Sequence, residues 1–397
     1  MKENKPIIEI TALPKHPYFE WFLLGFYELE RAGKIRLKIN VDWVRAIAKY
    51  TSSRYIDGTL KRLFRKYEPA YCVATLHYLG KKFKFCIDCW DEPTNYDATL
   101  LEEAVCYFKI QCPSEIQNEG FQLTDRMKAP YCFVTGYIEN GRGSDFDVEL
   151  VPLDQMGVLR SKVRPLMIGP RLLSWGISYK ALHKAYQQYC RDSQNEVSQK
   201  LMCYFGYGKG ANARMIDGTP RYTRNKYCEW APDHTSPNEK RAVAYKLLRE
   251  MGPAYDARLI CDGSSSDSPT RPEMIVPLDE FCKFISNFEY NLNISGNLMS
   301  IPNRFIESFM VGTAIMTDKL AVKWYKPFGC EVVETVPMGY LPIDEVDWEQ
   351  FKKDITNLPS VNKKDILHEF DTKWRPDVVA QYMIDEILKS AEEQNLS

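Results

Sequence analysis

The second half of the chain alternates short apolar strands with helices, and this alternation limits the folds that it can adopt. Strands are predicted at residues 200–205, 257–261, 290–294 and 313–317, and helices at residues 237–251 and 302–311. Strands that alternate with helices at this spacing form parallel βαβ units. Parallel sheets bind their ligands at the carboxyl ends of the strands, where the strand order reverses. We therefore expect a ligand crevice at that edge of the sheet.

The first half shows a similar but less regular pattern. An apolar strand at residues 7–13 is followed by a proline-containing turn and by an aromatic helix at residues 18–32, which Gly33 ends. Five further strands are predicted, at residues 35–41, 71–77, 83–87, 104–110 and 131–137. This order predicts an open, mainly parallel sheet.

The length of the chain favours two domains, because 397 residues exceed one ordinary hydrophobic core. The polar stretch at residues 191–196 is interpreted as a linker, so we place an N-terminal domain at residues 1–198 and a second domain at residues 199–375. Residues 376–397 predict an amphipathic helix, since Val379, Met383 and Ile387 share one face. We expect this helix to pack back toward the N-terminal domain.

The composition is that of a globular protein, with 45% apolar and 13% aromatic residues. The first residues do not form a secretory signal, and no apolar stretch is long enough to span a membrane. A cytoplasmic location is therefore expected, with any membrane contact peripheral and at the inner face. The 12 cysteines are interpreted as reduced core thiols. Cys86 and Cys89 form a CxxC without a second pair, so no metal site is expected.

Basic residues are concentrated in one N-terminal segment, although the formal net charge of the chain is −1. Residues 31–67 hold eleven basic and two acidic side chains, a local charge of +9. Within it, residues 60–66 interleave apolar with basic side chains, as a helix on an anionic membrane would. The alternative is a solvated basic face that packs Leu60, Leu63 and Phe64 into the core. Nucleic-acid binding is not expected, since the overall charge is near zero and no recognition motif is present.

The most informative motif extends from Asn291 to Asp318. A strand leads into a loop rich in Gly, Asn and Ser, and a helix then opens with Pro302 near its first turn. Arg304 and Glu307 are three residues apart, so they lie on one face of this helix. The helix start and Arg304 can bind phosphate oxygens, and Glu307 can accept hydrogen bonds from ribose hydroxyls. The alternative is an ordinary ion pair on a solvated helix face.

This stretch resembles the R-x-x-E-x-x-x-x-G-x-x-x-x-T/S-D pattern of GT-B glycosyltransferases, including exostosin-like and family-one-like members. The resemblance covers about thirty residues closely and residues 200–319 loosely. It implies two Rossmann-like domains facing each other across a cleft, with a nucleotide-sugar in the second domain and its ribose on Glu307. Many retaining members carry a first Glu eight positions earlier, where this chain has Met299. An inverting reaction is therefore expected.

A glycine-rich loop follows the first strand of the second half. Gly206, Gly208 and Gly210 would allow the backbone to approach a phosphate, and Lys209 would add positive charge. The loop is neither a P-loop nor a complete G-x-G-x-x-G, because Ala213 stands three residues after Gly210. Gly206 and Lys209 join Arg304 and Glu307 as candidate donor-binding residues because of their position.

Two groups in the first half are candidates for the catalytic base. His16 lies in the turn after the first strand, and the resemblance to inverting enzymes of the plant-glucosyltransferase type implies a base histidine in that loop. Asp88, Asp91 and Glu92 follow a later strand, and carboxylates there face the crevice of a parallel sheet. The alternatives are a turn histidine between two prolines and carboxylates with capping and turn roles.

These features together predict a glycosyltransferase, hexosyl or pentosyl, that needs no cofactor. Its partners would be a nucleotide-sugar donor and a glycan, lipid-linked or other hydroxyl acceptor. Metal independence is expected because the Asp-x-Asp at residues 145–147 precedes the donor half. Two alternatives stay open: a non-catalytic module of the same fold, and another Rossmann-type enzyme such as a dehydrogenase or epimerase.

Overall fold

A computed structural model describes most of the chain. The described residues are 5–14, 17–40, 71–89, 95–113, 121–124, 148–151, 159, 161–173, 177–191, 196–207, 215–216, 219–220, 237–261, 278–295, 300–320, 322–336, 338 and 343–395. The predicted strand at residues 131–137 and the segment at residues 60–66 lie outside this set. The protein is of the mixed α/β class, with helices packed on sheets that contain parallel strands.

The first half is built on a six-stranded sheet of order β10-β6-β4-β3-β1-β2. Its strands are β1 (Ile7–Ala12), β2 (Arg36–Ile39), β3 (Tyr71–Tyr78), β4 (Lys81–Asp88), β6 (Cys106–Lys109) and β10 (Val163–Pro165). Smaller strands are β5 (Asn95–Asp97), β7 (Cys112–Pro113), β8 (Phe121–Thr124) and β9 (Val148–Val151).

The prediction of a mainly parallel sheet is correct for three of the five strand pairings and wrong for β3. This strand runs antiparallel to both β1 and β4. The reason is local, because only Leu79 and Gly80 separate β3 from β4. Their φ angles of 49° and 79° form a tight hairpin turn, which reverses the chain direction.

Helix α1 (Phe19–Arg31) occupies the centre of the first half. Its residues from Phe19 to Phe26 are all buried, so the helix is covered on most of its circumference. One side packs on the six-stranded sheet, where Phe26 meets the ring of Phe85 edge to face with the ring centroids 6.5 Å apart. Two more helices of this half are α2 (Ala98–Glu103) and α3 (Tyr179–Arg191), and α3 packs beside α1.

The second half contains a five-stranded sheet that is parallel throughout, of order β14-β11-β15-β16-β18. Its strands are β11 (Gln199–Tyr207), β14 (Tyr255–Cys261), β15 (Phe288–Asn293), β16 (Ala314–Thr317) and β18 (Val332–Glu334). Three helices connect them: α4 (Pro237–Glu250), α5 (Leu278–Ile285) and α6 (Arg304–Phe309). The predicted strands and helices of this half are confirmed, with small shifts of their ends. Short strands β12 (Met215–Ile216), β13 (Thr219–Pro220) and β17 (Val322–Lys323) complete the half.

The last part of the chain is helical and connects the two halves. Helices α7 (Trp348–Thr356) and α8 (Lys363–Glu369) lead through a π-helical turn at Phe370–Trp374 into α9 (Pro376–Asn395). The predicted apolar face of α9 is buried. This helix packs against α1 and reaches β10, where the Arg164 guanidinium binds the Glu386 carboxylate at 2.6 Å. The domain boundaries at residues 198/199 and 375/376 stay predictions.

Helices α1 and α9 pack closely against each other at Gly25. A Cβ atom at this position would lie 2.1 Å from the Pro376 carbonyl oxygen and 2.9 Å from the Ala380 Cβ atom. Only glycine therefore allows the two helices to pack at this distance.

We expect Gly25→Ala to lower the stability of the protein by about 3 kcal/mol, because the new methyl group must push the backbone of α9 away. In a helix without such a neighbour, the same change would stabilise by about 1 kcal/mol. Thermal unfolding measures the difference. Gly206→Ala is the matched control, since a Cβ atom there would meet nothing within 4 Å. A Gly25→Ala variant that melts at or above the wild-type temperature would contradict this helix packing.

Candidate functional site

The strand order of the five-stranded sheet reverses between β11 and β15. The chain passes from β11 to the edge strand β14 on one side, and then returns to β15 on the other side. In open parallel sheets, this reversal leaves a crevice outside the carboxyl ends of the two central strands. The residues at these ends are Gly206 on β11 and Asn293 on β15. Polar and charged side chains from four elements converge here.

Arg241, in the first turns of α4, joins the ends of the two central strands. Its guanidinium donates to the Gly206 carbonyl oxygen at 3.1 Å and to the Ile294 carbonyl oxygen at 3.2 Å. The residue is only 9% exposed, so its positive charge is held at the strand ends in a region of low dielectric. The sequence interpretation missed Arg241. The available signal was a pair of cations at the start of the helix that follows the glycine-rich loop.

Lys240 precedes Arg241 and is almost completely buried, with 1% exposure. Its ammonium group donates to the Met338 carbonyl oxygen. Burial lowers the pKa of Lys240 to about 8, while the charge of Asp318 opposes that shift. The first turns of α4 therefore combine two buried cations with the positive end of a fourteen-residue helix.

Asp318 lies at the end of β16 and organises the loop that follows β15. One of its carboxylate oxygens accepts hydrogen bonds from the Ser295 amide at 2.9 Å and from the Ser295 hydroxyl at 2.7 Å. The Asn293 amide group donates to the Thr317 hydroxyl at 3.0 Å. The side-chain oxygen of Asn293, Oδ1, is buried and has no hydrogen-bond partner in the part of the chain that the structure describes. Such an acceptor is costly unless a ligand or water satisfies it.

Glu307 is buried on α6, with 4% exposure, and does not lie on a solvated face. The Asn303 amide group donates to its carboxylate at 2.6 Å. Burial raises the pKa of Glu307 to about 7, while Arg304, Asn303 and Arg171 oppose that shift. A buried carboxyl group with a strongly raised pKa and a cation beside it is typical of functional sites.

None of the ion pairs between described residues joins Arg304 to Glu307. Its guanidinium donates instead to the Tyr204 carbonyl oxygen of β11 at 3.3 Å. Burial lowers the pKa of Arg304, and the nearby Glu307 opposes this effect. Helix α6 has six residues, fewer than the ten predicted, so the longer α4 is the stronger source of helix-dipole charge at this edge.

The first half of the chain contacts the segment that precedes α6. The Gln111 side chain, fully buried, forms two hydrogen bonds with the backbone of Ile301, at 2.8 and 3.0 Å. Strand β7 pairs with β17 next to this contact. Tyr18, at the start of α1, lies close enough to Arg304 to act on the pKa of the guanidinium group, in the direction that raises it. The candidate donor-binding residues on α6 therefore lie beside the first half of the chain.

Of the other two predicted donor-binding residues, the structure describes Gly206 but not Lys209. Gly206 is exposed at the end of β11, with open space where a side chain would be. That space would allow a ligand to approach the backbone. Lys209 lies outside the described residues, and its role stays a prediction.

Of the three candidate catalytic residues, the structure describes only Asp88. This residue is fully buried and binds the Lys109 ammonium group at 2.7 Å, and it also accepts a hydrogen bond from the Tyr107 hydroxyl at 3.0 Å. Such a buried pair has its charge already compensated. His16 and Asp91 lie outside the described residues, as does Glu92. All of these catalytic roles stay predictions.

Two groups of metal-ligating residue types are present in the described part of the chain. Cys86 and Cys89 are both fully buried, and burial raises the pKa of Cys86 well above its usual value. Cys330, Glu331 and Glu369 place one potential ligand atom each within 4.8 Å of the others. The Lys373 ammonium group already pairs with both of these glutamates, at 3.4 Å for Glu331. This second group therefore acts as an ion-pair network.

None of the described helices is long and apolar enough to cross a membrane. No protein-family model matches the sequence, and no curated protein matches it. Among solved structures, the chain is similar to the pneumococcal O-GlcNAc transferase GtfA, solved in complex with UDP and GlcNAc. The two share 13% identity over 82% of this chain and 64% of that one, with a TM-score of 0.27. With a TM-score this low, the similarity supports no conclusion about activity. The chain also spans less than two thirds of the length of that protein.

Proposed function

We propose that this protein is a glycosyltransferase of the GT-B class, which transfers a sugar from a nucleotide-sugar donor to a hydroxyl acceptor. The observation that carries the proposal is the set of buried charges at the strand reversal of the five-stranded sheet. Arg241 and Lys240 supply positive charge at one strand end, and Glu307 supplies a carboxyl group after the next strand. This combination suits a ligand that contains both a diphosphate and a ribose.

The diphosphate would lie at the start of α4, above the end of β11. The backbone amides of the first helical turn and the two cations stabilise negative charge there. The same groups would stabilise the leaving nucleoside diphosphate when the bond to the sugar breaks. Gly206 leaves room for this approach, and Lys209 would add a further cation.

The ribose would bind Glu307. An ionised carboxylate can accept hydrogen bonds from two neighbouring hydroxyl groups, and such charge-assisted bonds are strong in a buried site. The Asn303 amide group holds one carboxylate oxygen in place, and Arg304 fixes the start of α6 against β11. Glu307 would therefore recognise the ribose in a preformed orientation.

The chemistry would be a metal-independent, inverting displacement at the anomeric carbon of the sugar. A base in the first half would take the proton of the acceptor hydroxyl, and the nucleoside diphosphate would leave. His16 is the first candidate for this base, ahead of Asp91 and Asp88. The acceptor would bind the first half, and a lipid-linked or otherwise anionic acceptor would explain the basic residues at 60–66. The enzyme would work in the cytoplasm, in solution or at the inner face of a membrane.

A thermal-shift screen with nucleotides and nucleotide-sugars tests the proposal. A ligand at one hundred times its Kd stabilises the folded state by about 2.7 kcal/mol. We expect a nucleoside diphosphate and its sugar derivative to raise the melting temperature, and the turnover of that sugar derivative to persist in EDTA. Stabilisation by a nicotinamide dinucleotide alone would favour the other Rossmann-type enzyme, and stabilisation without any turnover would favour the non-catalytic module. The absence of any shift would contradict the donor site.

The identity of the base gives a separate prediction. His16→Ala is expected to lower kcat at least about 100-fold, because general-base catalysis contributes 10²- to 10⁴-fold, and to leave donor affinity unchanged. Asp91→Ala is the matched comparison. If His16→Ala keeps near-normal kcat and Asp91→Ala does not, Asp91 is the base.

A further inference from the structure

The hairpin that joins β3 to β4 places an apolar side chain in water at the amino-terminal edge of the six-stranded sheet. Leu79, the first of the two turn residues, is 65% exposed. Its φ angle of 49° is left-handed, and no other non-glycine residue in the described part of the chain has a positive φ. Leucine is therefore unfavourable here both in its backbone and in its side chain.

The usual residues for this turn would remove both penalties. Two-residue hairpins of this conformation prefer Asn or Asp followed by Gly, because these residues tolerate positive φ and are polar. The second position has the expected glycine, Gly80, with a φ angle of 79°. Only the first position departs from the preference. An unfavourable residue that the local structure does not require indicates a role outside the fold.

Basic side chains lie at the same edge of the sheet as this leucine. Lys81 and Lys82 begin β4 directly after the turn, and both are exposed. The strand register places Arg36 of β2, Ile7 of β1, His77 of β3 and Lys82 of β4 in one row across the sheet. Lys5 comes just before β1 and Lys34 just before β2, so both lie at the same edge of the sheet. The Lys5 ammonium group lies close to Gly33.

Within the described part of the chain, the cations of this edge have no carboxylate as an ion-pair partner. Of the ion pairs between described residues, none includes Lys5, Lys34, Arg36, Lys81 or Lys82. The carboxylates nearest in the chain have other partners. Glu9 binds His77 at 2.8 Å, and Glu30 accepts a hydrogen bond from the Leu37 amide at 2.7 Å. The edge is therefore a surface of net positive charge with one leucine projecting from its tip.

We propose that this edge docks on an anionic lipid surface, with Leu79 inserted at the boundary of the acyl chains and the lysines on the headgroups. Membrane interfaces accept this combination, since they offer negative charge outside and an apolar phase a few ångströms deeper. Nucleic acid would satisfy the cations but offers no apolar phase for the leucine. A protein partner would need a contiguous surface of roughly 800 Å² on each side, whereas here the apolar contact is a single side chain.

Vesicle flotation of the full-length protein tests this inference, with phosphatidylcholine vesicles that either contain or lack phosphatidylglycerol. We expect binding to the anionic vesicles only, and release at high salt. Leu79→Asn is expected to weaken binding about tenfold. The hairpin should keep its structure, because Asn is a preferred residue at this turn position. The melting temperature should therefore be unchanged or higher. Lys81→Gln with Lys82→Gln should weaken binding about fivefold for each lysine removed.

Matched controls separate this edge from general surface effects. Leu173→Asn removes another exposed apolar side chain, and Lys352→Gln with Lys353→Gln removes two exposed lysines of α7. Both controls should bind like the wild type. Equal binding to both kinds of vesicle, or binding to neither, overturns the inference. It is also overturned if Leu79→Asn binds like the wild type while neutralising Lys61, Arg62, Arg65 and Lys66 abolishes binding. None of these outcomes depends on whether the protein transfers a sugar.

Discussion

Glu307→Gln is expected to make the protein more stable at pH 8, by about 3 kcal/mol. The carboxyl group has a pKa of about 7 in the folded state against an ordinary 4.5, and each unit is worth about 1.4 kcal/mol. The stabilisation by the protonated form is complete below pH 4.5 and is lost as the pH rises through 7. Glutamine has the same shape and no charge, so it avoids this loss.

Unfolding at pH 8 and pH 5 measures this effect. The advantage of the glutamine variant should be largest at pH 8 and should shrink below pH 7. Glu280→Gln, at an exposed position on α5, is the matched control and should change little at either pH. A Glu307→Gln variant that is less stable than the wild type at pH 8 would mean that the carboxylate is well stabilised in the folded protein.

The same substitution should weaken the donor site. Ribose hydroxyls donate to the ionised carboxylate, so nucleotide affinity in the wild type should rise with pH up to about 7 and then level off. The glutamine variant should bind more weakly above pH 7 and should lose this pH dependence. A gain in stability combined with a loss of binding is typical of a functional residue. Identical affinity in the two proteins at every pH would remove Glu307 from the site.

Arg241→Ala is expected to lower the affinity for a nucleoside diphosphate by about 100-fold. The substitution removes a buried positive charge and leaves the Gly206 and Ile294 carbonyl groups without their donor, and losses of this kind cost about 2–5 kcal/mol. Isothermal titration gives the affinity, and thermal unfolding shows how much of the loss reflects stability. Arg249→Ala, at the exposed end of the same helix, is the matched control. Unchanged affinity in a folded Arg241→Ala protein would contradict the assignment of the diphosphate to this edge.

The sequence was sufficient to predict the α/β class and most elements of the second half. Each of those strands is a short apolar run followed by a glycine or a helix start, so the information is local. The pattern around Arg304 and Glu307 likewise located one side of the candidate site. The hairpin at Leu79 and Gly80 was not predicted, because the strands on either side of it were assigned to a mainly parallel sheet.

The remaining features depend on contacts between distant parts of the chain. Asp88 looked like a loop carboxylate, but Lys109 from the neighbouring strand buries and neutralises it. Arg241 looked like any surface cation of a polar helix, and only the tertiary structure brings it to the ends of β11 and β15. Gln111 gave no signal, because its partner Ile301 lies 190 residues away. Patterns of hydrophobic and charged residues do not encode such pairings.

A crystal structure with the nucleoside diphosphate selected by the thermal-shift screen would test the donor site most directly. We predict density for the diphosphate at the start of α4, beside Arg241 and Gly206, with the ribose hydroxyls within hydrogen-bond distance of the Glu307 carboxylate. A diphosphate bound elsewhere, with neither Arg241 nor Glu307 near it, would contradict this donor site.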